Sequence, residues 1–232
     1  MKMQIFVAAF YWFLAWVLRL LSLLLVRRRV EGLENVPKHG SLIIAVNHFH
    51  QADPALLMAS LPRRVIFMAK RELLQTPLIG PLFALAGCIP VRRFEADLRA
   101  LRQARQALAA GLALGMFPEG TRSKTGTLGQ GWPGSALLAL QSQAPILPIG
   151  ITGSAKITGI WSLLKRPPIL VRIGEPFRLP PGSIGAREVQ EGTEAIMQRI
   201  AALLPPEYRG VYGQEAAVAA GPHPQTEETG PS

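Results

Sequence analysis

The run Asn47-His48-Phe49-His50-Gln51-Ala52-Asp53-Pro54 places an imidazole and a carboxylate within reach of each other in one short segment. An apolar run over 41–46 precedes it, so the segment stands at the carboxyl end of an expected strand, where α/β sheets hold their ligands. Asp53-Pro54 has the chemistry of a helix start, with Asp53 as N-cap and Pro54 at the first helical position. A connection this short folds back, letting the Asp53 carboxylate accept from one ring nitrogen of His48 and leaving the other as a proton acceptor. No serine or cysteine nucleophile is evident beside the pair. The chemistry it suits is general-base activation of a hydroxyl carried by the substrate, an effect worth about 10²–10⁴-fold. Two plainer readings stand beside this one: Asp53 as a helix cap alone, and His48 as a structural residue. A metal reading is weaker. His48-x-His50-x-x-Asp53 resembles part of a binuclear hydrolase site, but the chain has 4 histidines and His223 lies in the tail. Only His39 remains as an extra imidazole, so no metal is expected.

A second run, Phe117-Pro118-Glu119-Gly120-Thr121-Arg122-Ser123-Lys124, follows another expected strand. Its carboxylate, hydroxyls and cations suit a phosphate, with Arg122 as a bidentate donor and Glu119 holding that arginine or a substrate hydroxyl. A solvated, salt-bridged turn is the alternative. Glycines at 126, 129, 131 and 134 lead into a helix whose amide end would add to anion binding, and the lack of a closing Gly-Lys-Ser/Thr argues against an ATPase loop. Two further runs are weaker alone. Gly87 to Arg93 reads as a strand ending in two cations, and 144–153 as an apolar strand whose prolines place it at an edge or a bulge.

The elements that must position these groups alternate. Strands are expected over 41–46, 65–68, 88–91, 114–117, 146–151 and 169–173, and helices over 54–60, 97–110, 134–141 and 186–203. That alternation predicts an α/β domain with a mixed, largely parallel sheet flanked by helices. The 232 residues divide into an N-terminal helical anchor over 1–29, a catalytic domain over 30–212 and a disordered tail over 213–232.

The anchor is apolar from Ile5 to Val26 except for Arg19 and Ser22, and three arginines follow it. Its length, about 33 Å as a helix, is enough to span a bilayer. Gln4, Ala8, Tyr11, Ala15, Arg19 and Ser22 share one less apolar face, however. Three readings stand: a tilted single span, a segment lying in one leaflet, and an ordinary buried core helix, against which the aromatic content and the arginine triplet argue. The arginines place the following domain on the cytoplasmic face of the cell membrane. The stretch 75–86 is apolar but broken by Pro77, Gly80 and Pro81, which makes it core or a second lipid contact.

The formal charge of +10 calls for anionic partners, and 19 of the 25 cations are arginine. With 17% charged residues, the composition favours a membrane over nucleic acid. Cys88 is the single cysteine, so there is no internal disulfide.

Together the four runs resemble the lysophosphatidic acid acyltransferases (1-acylglycerol-3-phosphate O-acyltransferases) among the glycerolipid acyltransferases. Asn47, His48 and Asp53 match that family's first motif, Gly87 and Arg93 its second, Phe117 to Ser123 its third letter for letter, and Pro148 its fourth. The motifs occur in the family's order, across about 30–204. The resemblance implies that His48 deprotonates the sn-2 hydroxyl of 1-acylglycerol 3-phosphate while Asp53 orients the imidazole. The alkoxide then attacks the thioester of acyl-CoA or acyl carrier protein, giving phosphatidic acid for phospholipid biosynthesis without a cofactor. It implies further that Arg93, Glu119, Gly120, Thr121 and Arg122 bind the acceptor and that Lys70 adds charge near the thioester. Arg92, where relatives often carry an acidic residue, and Trp132-Pro133, where they usually carry a basic one, depart from the pattern. Glycerol 3-phosphate, another lysophospholipid or a glycolipid stand as other acceptors, and a lipid-binding protein without turnover stands as the rival from another class.

Overall fold

The computed structural model describes residues 2–77, 80–92 and 97–213, with side chains from residue 6 onward. Arg93 and the expected tail beyond Gly213 lie outside the described residues. The chain runs α1 (Lys2–Leu25), β1 (Arg27–Glu31), β2 (Leu42–Val46), α2 (Asp53–Ser60), β3 (Val65–Lys70), α3 (Arg71–Leu74), α4 (Gly80–Leu85) and β4 (Ile89–Val91). It continues through α5 (Leu98–Ala109), β5 (Ala113–Met116), α6 (Gly134–Ser142), β6 (Ile146–Thr152), α7 (Ile160–Leu164), β7 (Pro168–Ile173) and α8 (Ala186–Ala202).

The strands form a 7-stranded sheet in the order β1-β7-β6-β2-β5-β3-β4. Only β6 and β7 pair antiparallel, so the mixed, largely parallel expectation holds. Every residue of β2 is buried, as a parallel strand covered on both faces requires. One core cluster draws on α5, α6 and α8, and the other on α1 and α2. Each large apolar side chain withdrawn from water contributes about 1.5–3 kcal/mol, which makes β2 the fixed centre of the fold.

Strands β2 and β5 are direct neighbours. After β2 the chain leads to β3 on one side, and after β5 it leads to β6 on the other. Diverging connections leave a crevice at the carboxyl ends of this pair, the usual ligand position in such sheets.

Two expectations need correcting. The arginines 27–29 form part of β1, pairing with β7 in register Arg27↔Pro168, so the boundary drawn between 29 and 30 falls inside a strand. The proline-bearing strand β6 is not at an edge, since it lies buried between β2 and β7. Pro148 is tolerated because the regular β6–β7 pairing ends at Ile149↔Ile173, and Gly174 still donates its N–H to the Pro148 carbonyl, at 2.9 Å.

The less apolar stripe of α1 is the face that docks. Tyr11, Ala15 and Ser22 are buried. Val65 N–H donates to Tyr11 Oη at 3.0 Å, and Arg19 Nε donates to the carbonyl of Ala59 in the last turn of α2 at 3.1 Å. That carbonyl end carries partial negative charge, which suits a guanidinium. Phe6, Phe13, Trp16 and Leu24 point outward, each about 60% exposed.

Candidate active site

The loop after β2 is fixed at both ends. Asn47 has 0% exposure, and its amide behaves like a further backbone unit of β2. Its Nδ2 donates to the Ile151 carbonyl at 2.9 Å, and its Oδ1 accepts from Ile151 N–H at 2.7 Å, extending the pairing to β6 past Val46↔Ile149. Asparagine is the residue whose side chain carries both halves of that bond.

Asp53 is not the side-chain cap that its position before Pro54 suggested. It is the first residue of α2, and Ala52 at the N-cap makes no side-chain bond. Its Oδ2 instead looks back along the loop, accepting from Phe49 N–H at 2.8 Å and His50 N–H at 2.7 Å and meeting His48 Nδ1 at 3.0 Å. Asp53 has 0% exposure and sits in the first turn of α2, where a negative charge is favoured. Asp53 Oδ2 accepts the Nδ1 proton, which leaves Nε2 of His48 as the proton-accepting nitrogen.

His48 is also fixed through its backbone and its ring face. Its N–H donates to Glu119 Oε1 at 2.7 Å. Its ring stacks on Phe117 with centroids 4.1 Å apart, and Phe117 stacks on Phe67 at 6.3 Å. Phe67 fits because β5 carries Gly115 opposite it, where an added Cβ would lie 2.6 Å from the ring. The spacing of aromatics and glycine in two strands does not reveal that stack.

The loop after β5 supplies Glu119, and here the geometry departs from expectation. Its carboxylate does not hold Arg122. Besides His48 N–H it accepts from Gly129 N–H at 2.9 Å through Oε2, tying the two loops together. Burial pushes Glu119 up to about 7, against the lowering effect of those two backbone bonds. Ser123 N–H donates to the His48 carbonyl at 2.8 Å, a second tie. Gly120 turns the chain at φ 67°, a left-handed conformation that glycine adopts without strain. Thr121, Arg122 and Lys124 are exposed. The charge of Arg122 reaches the loop after β2: burial lowers the pKa of His50 first, Asp53 opposes that, and Arg122 adds to it.

Of the other expected residues, Lys70 ends β3 half exposed and pairs with Glu72 at 3.6 Å. An apolar cavity of about 430 Å³ opens beside Phe117 and Gly120, walled by Met68, Leu101, Met116 and Leu137, with Arg92 and Asp97 also lining it. It takes in Trp132-Pro133 and the start of α6. Cys88 lies against the backbone of Phe67, and burial pushes its thiol up to about 11. Asn47 and Phe117 stand in the motif runs and Phe67 does not; the support all three give to the His48 loop and ring is visible only in the fold.

Residues 27–152 match the family described as Acyltransferase. The 1-acyl-sn-glycerol-3-phosphate acyltransferase of Cocos nucifera is 36% identical over 140 residues, 59% of this chain and 46% of the relative. The enzyme of that name from Borreliella burgdorferi is 32% identical over 126 residues, 52% of this chain and 49% of the relative. A chloroplastic one from Brassica napus is 28% identical over 152 residues, 64% of this chain and 44% of the relative. The chain thus spans under half the length of these curated relatives. The crystal structure of the 1-acyl-sn-glycerophosphate (LPA) acyltransferase PlsC from Thermotoga maritima superposes with a TM-score of 0.64 at 24% identity. It covers 94% of this chain and 80% of that one, which establishes a shared fold.

Proposed function

The chain belongs to the acyltransferase family, and from that premise we propose that it acylates the sn-2 hydroxyl of 1-acylglycerol 3-phosphate to give phosphatidic acid. The observation that carries the reading is the His48–Asp53 pair, buried and fully oriented, at the crevice between β2 and β5. His48 Nε2 takes the proton from the acceptor hydroxyl as its oxygen bonds to the thioester carbonyl carbon. The C–S bond then breaks, and the departing thiolate takes that proton back from the imidazolium. Asp53 stabilises the imidazolium between the two transfers. No protein nucleophile is needed, in keeping with a Cys88 thiol held protonated by burial.

Arg122 and the exposed Thr121 are suited to the acceptor's phosphate, and Gly120 gives the turn that presents them. Arg93 joins them by its motif. Lys70, with its side chain half exposed at the end of β3, is suited to charge on the acyl donor, acyl-CoA or acyl carrier protein. The apolar cavity beside Phe117 is suited to an acyl chain. Glu119 acts through backbone positioning, not through contact with substrate.

Helix α1 anchors the chain to the cell membrane with the catalytic domain on its cytoplasmic face. Because its inner face is bonded to the domain at Tyr11 and Arg19 and buries Ala15 and Ser22, the helix lies in one leaflet; a free span would strip those contacts. The test is a panel of acceptors at fixed acyl donor, read by lipid mass spectrometry: 1-acylglycerol 3-phosphate, glycerol 3-phosphate, lysophosphatidylcholine and a glycolipid. The first should dominate product formation. Equal or better use of an acceptor without a terminal phosphate would refute the assignment.

A further inference from the structure

Strands β6 and β7 are antiparallel neighbours, and a hairpin of two to five residues would join them. The chain instead spends residues 153–167 on this connection, including α7. Three large apolar side chains there, Ile160, Trp161 and Leu164, are 75%, 78% and 73% exposed, more than any other large apolar residue described. Leu163 turns the other way and packs on the cluster that α1 covers. The helix therefore has an inner anchor and an outer apolar face that no described residue covers.

Topology fixes where that face sits. β6 runs parallel to β2, so it leaves the sheet at the edge that carries His48. β7 starts at that edge, and β1, parallel to β7, starts there too, which brings in the end of α1. Two bonds clamp α7 to that end: Arg166 Nη2 donates to the Leu23 carbonyl at 2.6 Å, and Arg27 Nε donates to the Arg166 carbonyl at 3.1 Å. Leu20, Leu23 and Leu24 of α1 are exposed in the same region. Charge follows the same arrangement. Residues 153–167 contain Lys156, Lys165 and Arg166 and no carboxylate. Beside them Arg27, Arg29, Lys156 and Arg172 line a groove in which Glu31 is the one acid among the described residues, paired with Arg29 and Arg172.

We propose that α7 and the last turns of α1 form one lipid-binding surface. Ile160, Trp161 and Leu164 enter the acyl layer of a single leaflet, and the flanking cations engage anionic headgroups. Cations around an apolar triplet fit an anionic bilayer, and three side chains fall short of the roughly 800 Å² per partner of a stable protein interface. The surface sets the catalytic edge of the sheet against the phase that would supply a lipid acceptor. The proposal rests on the reading of α1 as lipid-facing.

The test uses the full chain with Trp12, Trp16 and Trp132 changed to Phe, leaving Trp161 as the reporter. Added to phosphatidylglycerol–phosphatidylcholine vesicles, its emission should shift to the blue and be quenched by brominated acyl chains. In the otherwise natural chain, Ile160→Ser/Trp161→Ser/Leu164→Ser together should lower vesicle partitioning by roughly 30-fold or more, with an unchanged circular dichroism spectrum. Failure of the parent chain to bind vesicles would overturn both this surface and the α1 reading. Binding by the parent with Trp161 unquenched, and no loss in the triple variant, would overturn this surface alone. A triple variant that loses only self-association in sedimentation would show a second copy as the occupant, which also overturns it.

Discussion

In the loop after β2, Asn47, His48 and Asp53 are all buried; the Asn47 amide bonds to β6, His48 N–H to Glu119, and Asp53 Oδ2 to the loop's own backbone. In the neighbouring loop after β5, Glu119 is buried and bonded in the same manner, while Thr121, Arg122 and Lys124 stand in water. The groups assigned to proton transfer are thus held in place before substrate arrives, whereas the groups assigned to the acceptor's phosphate are left free to close on it. Preorganisation matters most where charge develops in the transition state, and a flexible cation tolerates variation in the ligand it meets. The difference between the loops is a division of labour between chemistry and recognition.

Asp53→Asn strikes the fixed side and should have the largest effect. An amide at that position faces the N–H groups of Phe49 and His50 and no longer sets the His48 tautomer. The turnover number should fall by about 10³–10⁴-fold with little change in the acceptor KM, read in steady-state kinetics.

Glu119→Gln tests the tie between the loops. Burial raises this carboxyl to about 7 from 4.5, so between those values the folded chain keeps a proton that the unfolded chain has released. The folded state then loses stability as pH rises through that window, by on the order of 3 kcal/mol. Urea unfolding at pH 5 and pH 7.5 should show the parent less stable at the higher pH and the Glu119→Gln variant nearly level between the two.

The smallest effect is expected on the exposed side. Arg122→Ala should raise the KM for a phosphate-bearing acceptor by about 10–100-fold and leave the turnover number within a few-fold. A fall confined to the turnover number would erase the proposed division.

Much of this site was legible because its residues are contiguous. His48 and Asp53 fall in one short run and Glu119 to Arg122 in another, each after an apolar stretch that reads as a strand. The adjacency of β2 and β5 was not legible, since β3, β4 and α5 intervene in the chain and nothing local in either strand names its partner. For the same reason Glu119 read as a partner for the nearby Arg122, when its real partners are amides of His48 and Gly129. The arginines 27–29 read as a charge cluster because strand pairing with β7, distant in sequence, overrides their composition. In α1 the wheel did expose the distinct stripe of Tyr11, Ala15, Arg19 and Ser22. What it could not give was the sense of that stripe, which faces the protein and not the water.

The central claim is that His48 activates the acceptor's own hydroxyl without an acyl-enzyme. Its most direct test is the release of free thiol from acyl-CoA, with and without 1-acylglycerol 3-phosphate, in the His48→Ala and Cys88→Ser chains. Release should depend on the acceptor, vanish in His48→Ala and persist at most of the parental rate in Cys88→Ser. Loss of release in Cys88→Ser together with its survival in His48→Ala would contradict the account.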